Sequence, residues 1–313
     1  MNVIWILAGI VLLYGGGQLL VNGASALARA WGLGPMVIGL TVVAFGTSAP
    51  ELAASLAAAL DGAPEIAAGN VVGSNIANIA LILGVTALVR PLHSEARFLR
   101  REMPIMVGAA LLLALLFADG RLGRVDGAVF LVALAAYLIV LFRGEELPTT
   151  HESFARGLPA PPRPGSLAAP LVRTLAGLAL LVLGAQALVA GATALARMAG
   201  VPELLIGLSV VAVGTSLPEL AASVVAASKR APEIALGNVV GSNVFNVLGI
   251  LGVTAAIRPI EVPLEALAPD LAVMMAFSVV LWVFLATGLR LGRREAGLLL
   301  ALYAAFMAYR FLG

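Results

Sequence analysis

Apolar residues fill this chain in blocks of membrane-helix length, parted by short polar or proline-bearing joints. A span needs about 20 mostly apolar residues. Ten blocks meet that rule, near 3–28, 34–60, 64–89, 102–118, 123–142, 170–198, 202–228, 232–256, 267–287 and 294–311. One long polar stretch, 143–169, parts the fifth block from the sixth. It carries Glu145, Glu146, His151 and Glu152 with Pro148, Pro159, Pro161, Pro162 and Pro164, the composition of a flexible linker. His151 beside Glu152 reads as a solvated pair rather than a metal site. The pattern predicts an all-α polytopic membrane protein with ten transmembrane helices: a five-helix unit over 1–142, the linker 143–169, and a second five-helix unit over 170–313.

The two units are copies. Adding 168 to a first-half number lands on its counterpart: Glu51 on Glu219, Pro64 on Pro232, Gly69 on Gly237, Asn78 on Asn246, and Arg90-Pro91 on Arg258-Pro259. Between Pro64–Ile79 and Pro232–Val247, twelve of sixteen positions are identical. Close helix packing accounts for shared glycines, but not for shared polar residues. Because each copy has an odd number of spans, the second enters the membrane from the opposite side. That is an inverted-topology repeat, in which secondary transporters place their substrate site at the repeat interface.

Composition fixes the compartment. Of 313 residues, 61% are hydrophobic and 12% charged, against about 25% charged in soluble domains. The start at Met1 lacks a basic n-region and its apolar run outlasts a signal-peptide core, so it reads as a retained first span. There is no cysteine, which excludes disulfides, thiol catalysis and thiolate metal sites. The net charge of +2 gives no footing for nucleic acid. On the alternating topology, 14 of the 19 Lys and Arg residues fall on one side. The positive-inside rule makes that side cytoplasmic, placing the linker inside and both termini outside a plasma membrane. A monomer in the lipid bilayer is the working expectation.

Two runs concentrate the chemistry. Gly46-Thr47-Ser48-Ala49-Pro50-Glu51 recurs as Gly214-Thr215-Ser216-Leu217-Pro218-Glu219. Each puts a carboxyl at membrane depth, at roughly 2.5–3.5 kcal/mol on insertion scales, beside a proline that removes a backbone hydrogen bond. Read as continuous helix, Thr47 and Ser48 share a face with Glu51, and the carbonyl of Gly46 loses its donor at Pro50. Gly73-Ser74-Asn75-Ile76-Ala77-Asn78 recurs as Gly241-Ser242-Asn243-Val244-Phe245-Asn246, placing Ser74 with Asn78 and Ser242 with Asn246 at i, i+4. Pooled, these runs offer carboxylates, amide oxygens, hydroxyls and carbonyls, without histidine or thiol. An all-oxygen set suits hard cations such as Ca²⁺. Two carboxylates balance one divalent ion or two monovalent ones. Glu65 and Glu233 follow prolines and read as helix-start acids; Arg90 and Arg258 read as interfacial anchors.

The two Gly-Thr-Ser-x-Pro-Glu runs and two Gly-Ser-Asn-x-x-Asn runs resemble the α-repeats of the cation/Ca²⁺ exchanger superfamily, most closely its prokaryotic sodium/calcium exchangers. The resemblance covers both halves. It implies ten helices with ion sites in helices 2, 3, 7 and 8, and Glu51 and Glu219 binding Ca²⁺. It further implies that Thr47, Ser48, Thr215, Ser216, Ser74, Ser242 and the carbonyls of Ala44 and Ala212 help bind Na⁺, with Asn78 at the centre. Some prokaryotic members carry aspartate where this chain has Asn246, so the central charge here is lower and one titratable group is gone. The expected function is Ca²⁺/Na⁺ antiport by alternating access, with helices 1 and 6 sliding past a rigid core, no cofactor and no enzymatic activity. Proton-coupled exchange on the same fold is the alternative. The proton/Ca²⁺ branch resembles Gly-Asn-Ala-x-x-Glu at the first run, which this chain lacks. A channel fits an inverted site poorly, and an intramembrane aspartyl protease would need a Gly-x-Gly-Asp run, which is absent.

Overall fold

The computed structural model describes residues 2–143, 167–200 and 214–312, nearly all of them helical. In chain order the helices are α1 (Asn2–Trp31), α2 (Pro35–Thr47), α3 (Ala49–Leu60), α4 (Pro64–Val89), α5 (Ala96–Leu116), α6 (Arg124–Arg143), α7 (Ala168–Met198), α8 (Leu217–Ser228), α9 (Pro232–Ile257), α10 (Leu264–Ala286) and α11 (Arg293–Leu312). Six are each long and apolar enough to cross a membrane, and α2 with α3 makes a seventh, bent by 44°. The protein is a multi-pass helical membrane protein. Of the expected linker, 144–166 lies outside the described residues, with His151 and Glu152; so does 201–213, the start of the expected seventh span.

One boundary differs from expectation. The expected fourth span, α5, begins at Ala96 rather than near 102. Arginine is a good helix former, so Arg97, Arg100 and Arg101 continue the helix past the apolar edge that hydropathy detects. Pro64 and Pro232 open α4 and α9, with Glu65 and Glu233 in the first turns, as their spacing predicts.

α1 and α7 pack along a seam of glycines at seven-residue spacing. A Cβ added at Gly9 would stand 2.8 Å from the carbonyl oxygen of Gly184; one added at Gly16 would stand 2.9 Å from that of Gly177. Gly23 faces Pro170 and Thr174, while Gly191 faces Asn2 and Ile6. Partner numbers fall on one helix as they rise on the other, so these two copies of one segment run antiparallel. Backbone-to-backbone approach of this kind is how helices associate where lipid removes the hydrophobic drive. α2 crosses α9 the same way, at Gly237 and Gly241 against Met36 and Leu40. The segment that the offset sets against Gly69 and Gly73 lies outside the described residues.

Two short antiparallel ladders join the copies. β1 (Leu92–His93) pairs with β4 (Arg290–Leu291), Leu92 opposite Leu291. β2 (Arg121–Leu122) pairs with β3 (Ile260–Glu261), Leu122 opposite Ile260. Each ladder takes one strand from each half. Arg121 also meets Glu261 at 3.2 Å.

Candidate functional site

The site begins at two proline-led helix starts, the first of them a break within a bent helix pair. Ser48, at φ −82° and ψ 4°, leaves helical geometry between α2 and α3, and Pro50 stands at the start of α3 without an N–H. Ser216, at φ −89° and ψ 5°, does the same before α8, with Pro218. The break gives α3 and α8 their own N-termini, and Glu51 and Glu219 sit in the first turns. Unpaired N–H groups there favour negative charge. That is how two carboxyls, each 1% exposed, are placed at the heart of an apolar molecule.

Hydroxyls and carboxylates cross between the halves. Ser48 Oγ donates to Glu219 Oε1 at 3.0 Å, and Ser216 Oγ donates to Glu51 Oε1 at 3.3 Å. A continuous helix would set Ser48 beside Glu51. The break turns the hydroxyl to the opposite repeat instead. Thr47 Oγ1 has one proton and three oxygens in reach: Val43 O at 3.1 Å, Ala44 O at 3.3 Å and Asn238 Oδ1 at 3.1 Å. Given to Asn238, that proton leaves the Ala44 carbonyl with the Ser48 N–H at 3.0 Å.

The central amides also pair across the copies. Asn78 Nδ2 donates to Asn243 Oδ1 at 3.1 Å, and Asn246 Nδ2 to Asn75 Oδ1 at 3.0 Å. Asn78 and Asn246 each open a π-helical segment, Asn78–Ile82 and Asn246–Leu251, within α4 and α9. Such wide turns recur at functional sites because they re-aim side chains.

Among the described residues, five buried oxygens of these motifs make no hydrogen bond: Glu51 Oε2, Glu219 Oε2, Asn78 Oδ1, Asn246 Oδ1 and Ser242 Oγ. Buried polar atoms are normally satisfied, and leaving one unmade costs about 1–3 kcal/mol, more when charged. An oxygen-liganded cation satisfies such a set. Ser74 is buried one turn before Asn78. Thr215 is half-buried and lines a cavity of about 190 Å³ against the two breaks, with Pro50, Gln186, Val189 and Pro218. Ala212 lies outside the described residues.

Four further residues complete the scaffold. Asn70 Nδ2 donates to the Glu51 carbonyl at 3.2 Å and to Ser55 Oγ at 2.8 Å. Asn238 Nδ2 donates to the Glu219 carbonyl at 3.3 Å and to Ser223 Oγ at 2.9 Å. The sequence carries a signal for them: Asn70 with Asn238, and Ser55 with Ser223, obey the same 168-residue offset. Asn75 and Asn243 lie inside the repeated motif, which by itself assigns them no role.

A broken helix, repeat-related buried carboxylates and buried amide and hydroxyl oxygens beside them are the marks of a cation-handling membrane transporter. The family model described as sodium/calcium exchanger protein matches residues 1–143 and 170–312, and the chain belongs to that family, within the prokaryotic branch of the cation/Ca²⁺ exchanger superfamily. It is 40% identical to the putative antiporter CaxA of Alkalimonas amylolytica, covering 99% of this chain and 97% of that one. It is 34% identical to the sodium/calcium exchanger MaX1 of Methanosarcina acetivorans, covering 99% and 98%. Its fold superposes on a structure of the sodium-calcium exchanger NCX_Mj soaked with Na⁺ and Ca²⁺, with TM-score 0.84, 32% identity, and coverage of 98% and 97%. The family is one of transporters, and cation antiport is the activity class it carries.

Proposed function

We propose that the protein exchanges Ca²⁺ for Na⁺ across the plasma membrane by alternating access. The observation that carries this reading is the set of five buried oxygens on Glu51, Glu219, Asn78, Asn246 and Ser242 that have no partner among the described residues. Ca²⁺ takes 6–8 oxygen ligands. The two carboxylates, two amide oxygens and a hydroxyl supply most of that number and cancel its charge. Na⁺ ions would take the same carboxylates with Thr47, Ser48, Ser74, Thr215, Ser216 and Ser242, and with the carbonyls of Ala44 and Ala212. Because both ions need the two glutamates, occupancy is mutually exclusive, and that exclusion couples the two fluxes.

The architecture in this reading is ten transmembrane helices in two inverted five-helix repeats. The antiparallel seam of α1 on its copy α7 supports it. So do ladders that join only connections of matching sidedness, the third with the ninth and the fourth with the eighth. The 14-to-5 division of basic residues supports a cytoplasmic linker and external termini. The cavity at Pro50, Thr215, Gln186 and Pro218 would be the ions' route, walled by the moving helix α7.

The Thr and Ser hydroxyls beside the two carboxyls favour Na⁺ over a proton cycle, and the Gly-Asn-Ala-x-x-Glu run of the proton/Ca²⁺ branch is absent. Na⁺-gradient-driven ⁴⁵Ca²⁺ uptake into proteoliposomes tests the reading. Uptake should follow the Na⁺ gradient and persist without a pH gradient. Uptake driven by pH alone would transfer the protein to the proton-coupled alternative, and no uptake under either gradient would refute antiport of Ca²⁺.

A further inference from the structure

The central amides are held from outside by sulfur. Asn243 Nδ2 lies 3.6 Å from Met106 Sδ, and Asn75 Nδ2 lies 3.6 Å from Met274 Sδ. Met106 is on α5 and Met274 on α10, both buried and separated by the same 168 residues. Each reaches into the opposite repeat. Asn75 has a second acceptor, the carbonyl oxygen of Asn243 at 3.2 Å. For Asn243, the sulfur is the only side-chain amide acceptor among the described residues.

An asparagine presents either an oxygen or an NH₂ group, and only the oxygen attracts a cation. A thioether sulfur accepts and cannot donate, so Met106 draws the NH₂ of Asn243. The oxygen of Asn243 then faces Asn78 and receives its NH₂ at 3.1 Å, leaving Asn78 Oδ1 buried and without a partner among the described residues. The second chain runs from Met274 through Asn75 to Asn246. If Asn243 flips, two NH₂ groups meet, and Asn78 relieves the clash by turning its own NH₂ toward the cage.

We propose that Met106 and Met274 are positioning residues: their sulfurs fix the sense of Asn243 and Asn75, and thereby which end of Asn78 and Asn246 faces the cation. This rests on the cation-cage reading above. Partners one shell out from a metal commonly carry 10–100-fold in affinity. Met106, the lone acceptor for its amide, carries more than Met274.

Calorimetric titration of the purified full-length protein with CaCl₂ tests this, using Met106→Leu, Met106→Gln and Met274→Leu beside the wild type. Met106→Leu should weaken Ca²⁺ binding about tenfold, and Met274→Leu about threefold, below the usual loss because Asn75 keeps its carbonyl. Met106→Gln restores an oxygen acceptor and should bind more tightly than Met106→Leu. If methionine merely fills space, apolar leucine is the better replacement, so the opposite order overturns the proposal. Wild-type affinity in Met106→Leu overturns it too, as does an effect of Met274→Leu equal to that of Met106→Leu; these last two outcomes stand even if the glutamine variant does not fold. A wild type that binds no Ca²⁺ takes down the cage reading and this proposal together, whereas a wild type that binds beside an unchanged Met106→Leu takes down this proposal alone.

Discussion

Ser48 donates its hydroxyl to Glu219, 171 residues away, at 3.0 Å, and not to Glu51 three residues along its own chain. The reverse bond, Ser216 to Glu51, closes the pair. Each carboxylate is therefore supported by a hydroxyl from the other half, and neither half holds a finished site.

That crossing predicts a specific pattern of coupling. In thermal unfolding of the ion-free protein, Ser48→Ala should couple to Glu219→Leu, which removes the acceptor, by about 0.5–3 kcal/mol, as contacting groups do. Its coupling to Glu51→Leu should be smaller. A double-mutant cycle in which Glu51 carries the larger coupling would contradict the crossed geometry.

The carboxylates themselves make the sharpest functional prediction. Glu51→Gln keeps size and hydrogen-bonding capacity and removes charge, and so does Glu219→Gln. Each variant should fold, with a melting temperature close to wild type, and should lose ⁴⁵Ca²⁺ exchange in proteoliposomes. Wild-type flux from either would remove that residue from the site.

Much of this is legible in the amino-acid sequence alone. The length of the apolar blocks marks the helices, and the 168-residue offset reveals the two copies and matches Glu51 to Glu219. Legibility ends where geometry departs from regular helix. Helical spacing puts Ser48 beside Glu51, whereas the backbone at ψ 4° sends it across to Glu219. Asn70 and Asn238 are visible as repeated polar residues, but their bonds to the carbonyls of Glu51 and Glu219 depend on how α4 and α9 lie against the broken helices. No spacing rule encodes that. The Met106–Asn243 contact is invisible for a similar reason: methionine reads as core filler until its neighbour is an amide.

The glycine seam yields a prediction that separates motion from binding. A side chain at Gly16 would stand 2.8 Å from the backbone nitrogen of Leu181, so Gly16→Val forces α1 and α7 apart. Overpacking of this kind costs about 1–3 kcal/mol. The melting temperature should fall and the maximal exchange rate should drop severalfold. Calorimetric Ca²⁺ affinity should hold, because the cage lies on other helices. A variant with normal turnover would argue against α1 and α7 having to stay packed on each other as they slide past the core.

Sidedness can be read directly, because the chain has no cysteine and an introduced one is the only thiol. Glu95→Cys and Asp119→Cys both fall at exposed positions, before α5 and after it. A membrane-impermeant maleimide applied to intact cells should label Asp119→Cys and spare Glu95→Cys until the cells are opened. The reverse pattern would turn the proposed orientation over.

The two ladders bear on how the two copies meet. β1 finds its mate in β4, and β2 in β3, so every strand is completed by the other copy, as are both carboxylates and all four central asparagines. A single half, inserted into the membrane once in each orientation, would meet itself through the same contacts. The chain thus has the contacts that two antiparallel copies of one half would make with each other. The two halves are nonetheless not interchangeable: Asn22 accepts from Lys229 at 2.6 Å, where the other copy has Ala190 and Asp61.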